Sequence, residues 1–314
     1  MTLRIAVQMD PPARLNAKAD STIMLMQEAQ KRGHQLWYYH PSSLVAKDGS
    51  IFAAKAQPIT LKESADWYEL GDAKSLDLAD VDAVLMRQDP PYDMTYLSAT
   101  YLLDRLEGKT LVVNNPSFVR SHPEKLSILQ FAEFIPPTIV TRDEDEILAF
   151  RKAHGTIVAK PLYGFGGRSI FKFEPDDSNL LTLLEQWFEA SDEPVMIQAF
   201  LPEVKNQDMR VIVMNGEGKG GAGRIPAQGE IRANFRVGGT AAEAILNERQ
   251  QQICQTVGAW LKEGGVFFAG LDLIGDYLTE INITSPTGLR AVEQLYGTNP
   301  ATDFWDALEE KLNA

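Results

Sequence analysis

Gly270-Leu-Asp272-Leu-Ile-Gly-Asp-Tyr-Leu-Thr-Glu280-Ile-Asn282-Ile-Thr-Ser285-Pro286 is the stretch on which the fold of this 314-residue chain turns. Two apolar runs, Val266–Ile274 and Leu278–Thr284, flank a short turn and read as a β-hairpin. Strand residues two apart share a face, so Glu280 and Asn282 point the same way. Folding the chain at Gly275–Tyr277 then brings Asp272 opposite or next to Glu280. Two carboxylates and an amide oxygen converge between apolar neighbours. Like charges this close repel unless a cation lies between them, and three hard oxygen donors suit Mg2+ bridging nucleotide phosphates. A half-exposed hairpin with its acids turned to water is the competing explanation, and the apolar flanks speak against it.

The same grammar extends outward from the hairpin. Strands at Thr138–Thr141, Thr156–Lys160, Arg168–Phe173, Val195–Phe200 and Asp208–Met214 are expected, the last ending in the hairpin-type turn Asn215-Gly216. Helices are expected from Pro123, which suits a first helical position, and over Asp143–His154, Ala242–Lys262 and Thr302–Leu312. Strands joined by tight turns make this half α+β with antiparallel sheets. The first third differs. Strands Leu3–Met9, Leu36–Tyr39, Val81–Met86 and Thr110–Val113 are accompanied by helices after Asp20 or Ser21 and over Thr95–Glu107, the alternation of a doubly wound parallel α/β sheet. A hairpin around Asp48-Gly49 interrupts it. The expected domains are residues 1–122 and 123–314, the second split into lobes 123–200 and 201–314.

Composition removes several function classes. A net charge of −13 argues against nucleic acid, whose binding needs basic patches. No apolar run approaches the roughly 18 residues of a membrane span, and the start of the chain reads as a strand rather than a secretory leader, so a cytoplasmic setting is expected. One cysteine, Cys254, excludes an intrachain disulfide and a multi-cysteine metal site. The histidines His34, His40, His122 and His154 lack metal-ligand spacing. Gly216-x-Gly218-x-x-Gly221 follows a strand but leads into Gly-Arg-Ile-Pro rather than a helix, so a dinucleotide reading fails.

Two further segments carry chemistry. In Thr156-Ile-Val-Ala-Lys160-Pro-Leu-Tyr-Gly164-Phe-Gly166-Gly167-Arg168-Ser169, Lys160 ends an apolar strand, where a charge is costly without an anion to meet. The glycine-rich turn that follows lets backbone N–H groups approach phosphate oxygens. An edge lysine extending to water is the alternative. Between Lys205 and Arg236 stand six basic side chains (Lys205, Arg210, Lys219, Arg224, Arg232, Arg236) against three acidic ones, in a chain that is otherwise acidic. Guanidinium forks of this kind bind carboxylate or phosphate in bidentate fashion. Asn234 and Gly238-Gly239 complete a stretch with the composition of a lid, and a solvated loop is the bland alternative.

Lys125, Lys160 with its glycine turn, Arg210, and Asp272 with Glu280-x-Asn282 together resemble the ATP-grasp pattern. Longer strings, in order, point closer: Met9-Asp-Pro, Met86-Arg-Gln-Asp-Pro-Pro, Val113-Asn-Asn-Pro-Ser, Pro123-Glu-Lys-Leu, Arg224-Ile-Pro and Leu278-Thr-Glu-Ile-Asn-Ile-Thr-Ser-Pro-Thr. From Arg4 to about the C-terminal helix the chain is similar to the bacterial glutathione synthetases. The resemblance implies that ATP, γ-glutamylcysteine and glycine give ADP, phosphate and glutathione through an acyl phosphate. It implies that Lys125 and Lys160 hold ATP phosphates covered by Gly166 and Gly167, and that Gln198, Phe200 and Leu201 edge the adenine. It implies too that Asp272, Glu280 and Asn282 hold Mg2+, with Mn2+ as an alternative ion. Arg210 and Arg224 stabilise the transferring phosphoryl group. Arg232, Asn234, Gly238 and Gly239 belong to a shielding loop, 224–241, and Ser285 and Pro286 border the dipeptide pocket. A homo-oligomer, often a tetramer, is implied, with no nucleic-acid or membrane partner. Another ATP-grasp carboxylate–amine ligase, or a non-catalytic nucleotide-binding regulator, are the other readings. One departure stands out: Gly218-Lys-Gly-Gly-Ala-Gly223 replaces an apolar strand, and glycine weakens strands, so a looser approach to Arg224 is expected.

Overall fold

The computed structural model describes residues 2–164, 166, 169–206, 208–225 and 240–313. The first third builds an eight-stranded mixed sheet. Strand β1 (Arg4–Gln8) leads to helix α1 (Ser21–Lys31), β2 (Gln35–Tyr39), the hairpin β3 (Leu44–Lys47) and β4 (Ser50–Leu61), then β5 (Tyr68–Leu70), β6 (Lys74–Asp77), β7 (Ala83–Met86), α2 (Met94–Leu103), β8 (Leu111–Val113) and α3 (Pro116–Ser121). Strands β2, β1, β7 and β8 lie side by side and parallel, as the alternation implies, while β4 adds to β2 antiparallel and carries β3, β5 and β6. Local chemistry sets the boundaries. The Asp20 carboxylate accepts a hydrogen bond from the Ile23 N–H at 3.0 Å and caps α1, and Gly33 with φ +81° turns the chain out of it. Asp48 and Gly49, at φ +52° and +83°, make the hairpin turn.

Two antiparallel sheets follow. β9 (Thr138–Thr141), α4 (Glu144–His154), β10 (Ile157–Pro161), β11 (Phe171–Phe173), α5 (Asn179–Ala190) and β12 (Val195–Ala199) form a small lobe with sheet order β11-β10-β12-β9. Its core is Ile147, Leu180 and Leu184 of the helices against Ile157, Ala159 and Ile197. β13 (Asp208–Met214), β14 (Glu217–Ile225), β15 (Thr240–Glu243), α6 (Glu248–Glu263), β16 (Phe268–Ile274), β17 (Tyr277–Asn282), α7 (Leu289–Tyr296) and α8 (Pro300–Asn313) complete the chain, with sheet order β15-β14-β13-β16-β17.

This second sheet is continuous in its packing with the first third. One apolar core runs from Ala6, Val84 and Leu103 to Val211, Leu271 and Ile281. Another joins Ile5, Val7 and Leu25 to Ile212, Met214, Phe304 and Trp305. Strand β17 lies at the sheet's edge, and the segment 124–134 covers it: the Leu278 N–H donates to the Phe134 carbonyl at 2.8 Å and the Ile281 N–H to that of Glu124 at 3.2 Å. The peptide between Val113 and Asn114 is cis.

Several expectations are corrected. No α-helix starts at Pro123; a 3-10 turn spans Leu126–Phe131, and the Asn-capped, proline-started helix is α3, which begins at Pro116. The expected helix over Ala242–Lys262 begins only at Glu248, where Asn247 and Gln250 form a reciprocal capping box, and residues 240–243 are a strand paired to β14. Helices α5 and α7 were not foreseen. The strand expected at Arg168–Phe173 covers only its last three residues, with Arg168 outside the described ones. The glycine tract forms β14, which pairs with β13 on one side and β15 on the other and accommodates one register shift, between Val211 and Val213.

Candidate active site

The register of the second sheet aligns charge. Arg210 of β13 is the cross-strand partner of Asp272 on β16, and Asp272 is in turn the partner of Glu280 on β17. Residues opposite one another in an antiparallel sheet share a face, so the three side chains stand in one row. Arg210 grips Asp272 with two bonds, Nε to Oδ1 at 2.5 Å and Nη2 to Oδ2 at 3.0 Å. One pair along, Arg224 lies opposite Asp208, donates to its Oδ1 at 2.5 Å, and places Nη2 3.4 Å from Asp272 Oδ1. All four side chains are buried. The expected hairpin geometry, with Asp272 across from Glu280, is therefore present.

The small lobe and the chain leading into it supply two lysines. Lys125 Nζ sits 3.1 Å from Glu280 Oε1 and also donates to the Gly164 carbonyl, at the start of the glycine turn. Lys160, at the end of β10, donates to Gln198 Oε1 at 2.5 Å, and Gln198 donates onward to Thr138 Oγ1 at 3.0 Å. Asn282 donates to the Gly270 carbonyl at 3.3 Å. Burial drives the electrostatics. Desolvation lowers the Lys160 ammonium to about 8, although Glu280 and Asp272 pull it back up. The Asp208 carboxyl is raised to about 6 by burial, against the pull of Arg224. For Asp272 the outcome reverses: burial pushes it up, but Arg210 and Arg224 outweigh burial and hold it below its ordinary value. Glu124 is raised by burial and by Glu280.

The expected residues separate into groups. Lys125, Lys160, Arg210, Arg224, Asp272, Glu280 and Asn282 belong to one electrostatic neighbourhood, in which Lys160 is influenced by Lys125, Asp272, Glu280 and Asp208. The Gln198 side chain is occupied with Lys160 and Thr138, while Phe200 and Leu201 continue from β12 toward the second sheet, with Lys172 4.5 Å over the Phe200 ring. Gly166 takes φ +64° in the turn. Ser285 and Pro286 are held from the first third of the chain: Ser285 Oγ donates to the Arg87 carbonyl at 3.3 Å and Arg87 Nη2 to the Pro286 carbonyl at 2.8 Å. Arg210 reaches the next carbonyl, that of Thr287, at 3.3 Å. Gly167, Arg232, Asn234, Gly238 and Gly239 lie outside the described residues. Asp208, Arg87 and Glu124 were not singled out beforehand. Asp208 carried a signal, standing two residues before Arg210 on an otherwise apolar strand.

The donor set tests whether a divalent ion fits. Both oxygens of Asp272 face guanidinium groups, and Glu280 faces Lys125. Among the described residues no group of three or more His, Cys, Asp or Glu is placed to hold an ion. Two carboxylates and an amide nevertheless fit Mg2+ arriving with nucleotide phosphates, which typically takes only one or two carboxylates from protein. No helix among the described residues is long and apolar enough to cross a membrane.

Comparison with known proteins places this geometry. Residues 3–120 match the family described as prokaryotic glutathione synthetase, N-terminal domain, and residues 124–297 match its ATP-grasp domain. The glutathione synthetases of Rhodopseudomonas palustris and Bradyrhizobium diazoefficiens are 46% and 47% identical to the chain over 311 and 312 residues, covering 99% of each sequence. Among solved structures, D-cycloserine synthetase DcsG superposes with a TM-score of 0.69 at 15% identity, over 98% of this chain and 99% of that one. The ATP-grasp ligase PsnB, complexed with a phosphomimetic precursor variant, Mg and ADP, gives 0.65 at 17%, over 99% of both. These two share the fold. The near-complete coverage by close relatives and by both domain families shows that the chain belongs to the prokaryotic glutathione synthetase family.

Proposed function

We infer that the glutathione synthesis this chain carries out, as an ATP-dependent ligase, runs through the row Arg210–Asp272–Glu280 and the two lysines beside it. The single observation behind this reading is that row: one cation and two carboxylates in register across three strands, with Lys125 from the segment covering β17 and Lys160 from the small lobe beside it. A carboxylate resists amine attack until one of its oxygens becomes a leaving group. On this reading a terminal carboxylate oxygen of γ-glutamylcysteine attacks the γ-phosphorus of ATP, the bond to ADP breaks, and an acyl phosphate forms. The amine of glycine then attacks the acyl carbon, phosphate departs with the bonding electrons, and the amine loses a proton. Such transfer needs alignment and charge neutralisation rather than a protein nucleophile. No histidine or cysteine is present among the described residues of the row.

Lys125 and Lys160 hold nucleotide phosphates on this reading, Phe200 and Leu201 border the base, and Gln198 keeps Lys160 aimed. Arg210 and Arg224 face the developing charge on the transferring group, and Ser285 and Pro286 border the dipeptide. Asp272, Glu280 and Asn282 would hold Mg2+, or Mn2+ in its place, and the bound ion would screen phosphate charge. Binding would draw the guanidinium of Arg210 off Asp272, freeing it for substrate oxygen. The division of the chain at 122/123 into acceptor-side and nucleotide-side domains, a homo-oligomer of four copies and a cytoplasmic setting belong to the same proposal. Phosphate release from Mg·ATP tests the chemistry. Release that needs γ-glutamylcysteine and glycine together supports it; release driven by a different acceptor, with no response to that pair, overturns it.

A further inference from the structure

We propose that Glu124 is a positioning residue for Asn282 and the end of β17, acting through the edge of the sheet. This rests on the reading of Asp272, Glu280 and Asn282 as ligands of a phosphate-bound divalent ion. Residue 124 touches the chain on both sides of Asn282. Its carbonyl accepts from the Ile281 N–H at 3.2 Å. Its Oε1 accepts from the Ile283 N–H at 2.9 Å, the Thr284 N–H at 3.0 Å and the Thr284 hydroxyl at 2.8 Å. Four bonds thus fix the four-residue span Ile281–Thr284. That span needs fixing, because β17 is an edge strand whose outward N–H groups have no neighbouring strand. Three donors converge on that one oxygen, two backbone N–H groups and one hydroxyl.

The next residue extends the argument. Lys125 pairs with Glu280 and with the Gly164 carbonyl. Two consecutive side chains therefore hold alternate positions of the ligand strand, Lys125 at Glu280 and Glu124 around Asn282. Displacing a metal ligand by a fraction of an ångström weakens binding, and the groups that orient ligands typically account for 10- to 100-fold in metal affinity.

Direct binding separates positioning from plain edge support. Mn2+ titrated into the protein with ADP, followed by the electron paramagnetic resonance signal of free Mn2+, is expected to bind about tenfold more weakly to Glu124→Ala than to the parent. Glu124→Gln, which keeps the accepting oxygen, is expected to stay within about threefold. Thr284→Val removes one of the four bonds from the opposite side, is expected to cost roughly threefold, and covers the case in which Glu124→Ala does not fold. Amide exchange at Ile281, Ile283 and Thr284 should quicken in the alanine variant. Parent-like Mn2+ binding by folded Glu124→Ala, or Glu124→Gln as weak as alanine, overturns the proposal. Asn282→Ala and Asp272→Asn serve as references. If these bind Mn2+ like the parent, the metal assignment itself fails and takes the proposal with it. If they weaken and Glu124→Ala does not, the assignment stands and Glu124 alone falls.

Discussion

Asn114 and Phe268 exchange hydrogen bonds in both directions: Asn114 Nδ2 donates to the Phe268 carbonyl at 2.7 Å, and its Oδ1 accepts from the Phe268 N–H at 2.8 Å. The same side chain also donates to the Ile283 carbonyl at 2.8 Å and accepts from the Phe267 N–H at 2.9 Å. An amide offers two donors and two acceptor positions, and all are used. Asn114 follows β8 of the first sheet, so one buried side chain ties that sheet to β16 and to the segment after β17.

Replacing it should be costly. Asn114→Ala leaves two N–H groups and two carbonyls buried without this partner, at about 1–3 kcal/mol for an unsatisfied group. A loss of about 4 kcal/mol is expected in urea unfolding, with Asn114→Asp intermediate because it keeps the acceptors and loses the donors. A loss under about 1 kcal/mol for alanine would show that the tie carries no weight.

Gly270 makes room for Arg210. A Cβ at position 270 would lie 2.9 Å from Cδ and Nη1 of Arg210, the flexible end of a side chain rather than fixed backbone. Gly270→Ala should therefore leave the sheet intact and push the guanidinium off Asp272. The expected result is a roughly 100- to 1,000-fold fall in kcat, on the order of losing one transition-state donor, with an unchanged circular dichroism spectrum. Full activity would place Arg210 outside the chemistry.

Lys160 should make nucleotide binding depend on pH. With its ammonium lowered from 10.5 to about 8, the folded protein holds this proton less tightly than the unfolded chain. Stability therefore rises as pH climbs from about 8 to 10.5, and Lys160→Met should flatten that rise. Anionic phosphate favours the charged form. ADP binding near pH 9 should then take up part of a proton, measured by calorimetry in buffers of different ionisation enthalpy. Uptake that persists in Lys160→Met would assign the proton elsewhere.

Asp208 supports Arg224 rather than the chemistry directly. Asp208→Asn removes the closest carboxylate from a buried guanidinium, a change of about 3–5 kcal/mol when nothing replaces it. Arg224 Nη2 is already 3.4 Å from Asp272, so part of that loss should be recovered by a closer approach to Asp272. The expected pattern is a moderate drop in melting temperature together with a raised Mg2+ requirement. A drop in stability alone would separate the pair from the proposed metal site.

Much of this was legible in short-range patterns. The period of two and the Gly-Asp turn put Asp272 opposite or next to Glu280, because a hairpin's register follows from a few residues, and the structure shows it opposite. The parallel strands of the first third were readable for the same reason. What escaped was long-range. Arg210 and Asp272 are 62 residues apart, and no local feature says that they pair. Residues 240–243 have helix-favouring composition, yet backbone pairing with the glycine-rich β14 outweighs it. Glu124 gives no local sign of its role because its partners lie about 160 positions away.

The covering of β17 by residues 124–134 has a consequence for self-association. A bare outer strand invites another polypeptide to add alongside it and propagate. Here the carbonyls of Glu124 and Phe134 already accept from that strand, so further strand addition along this side is blocked. Another copy of the molecule therefore cannot extend this sheet by pairing along β17.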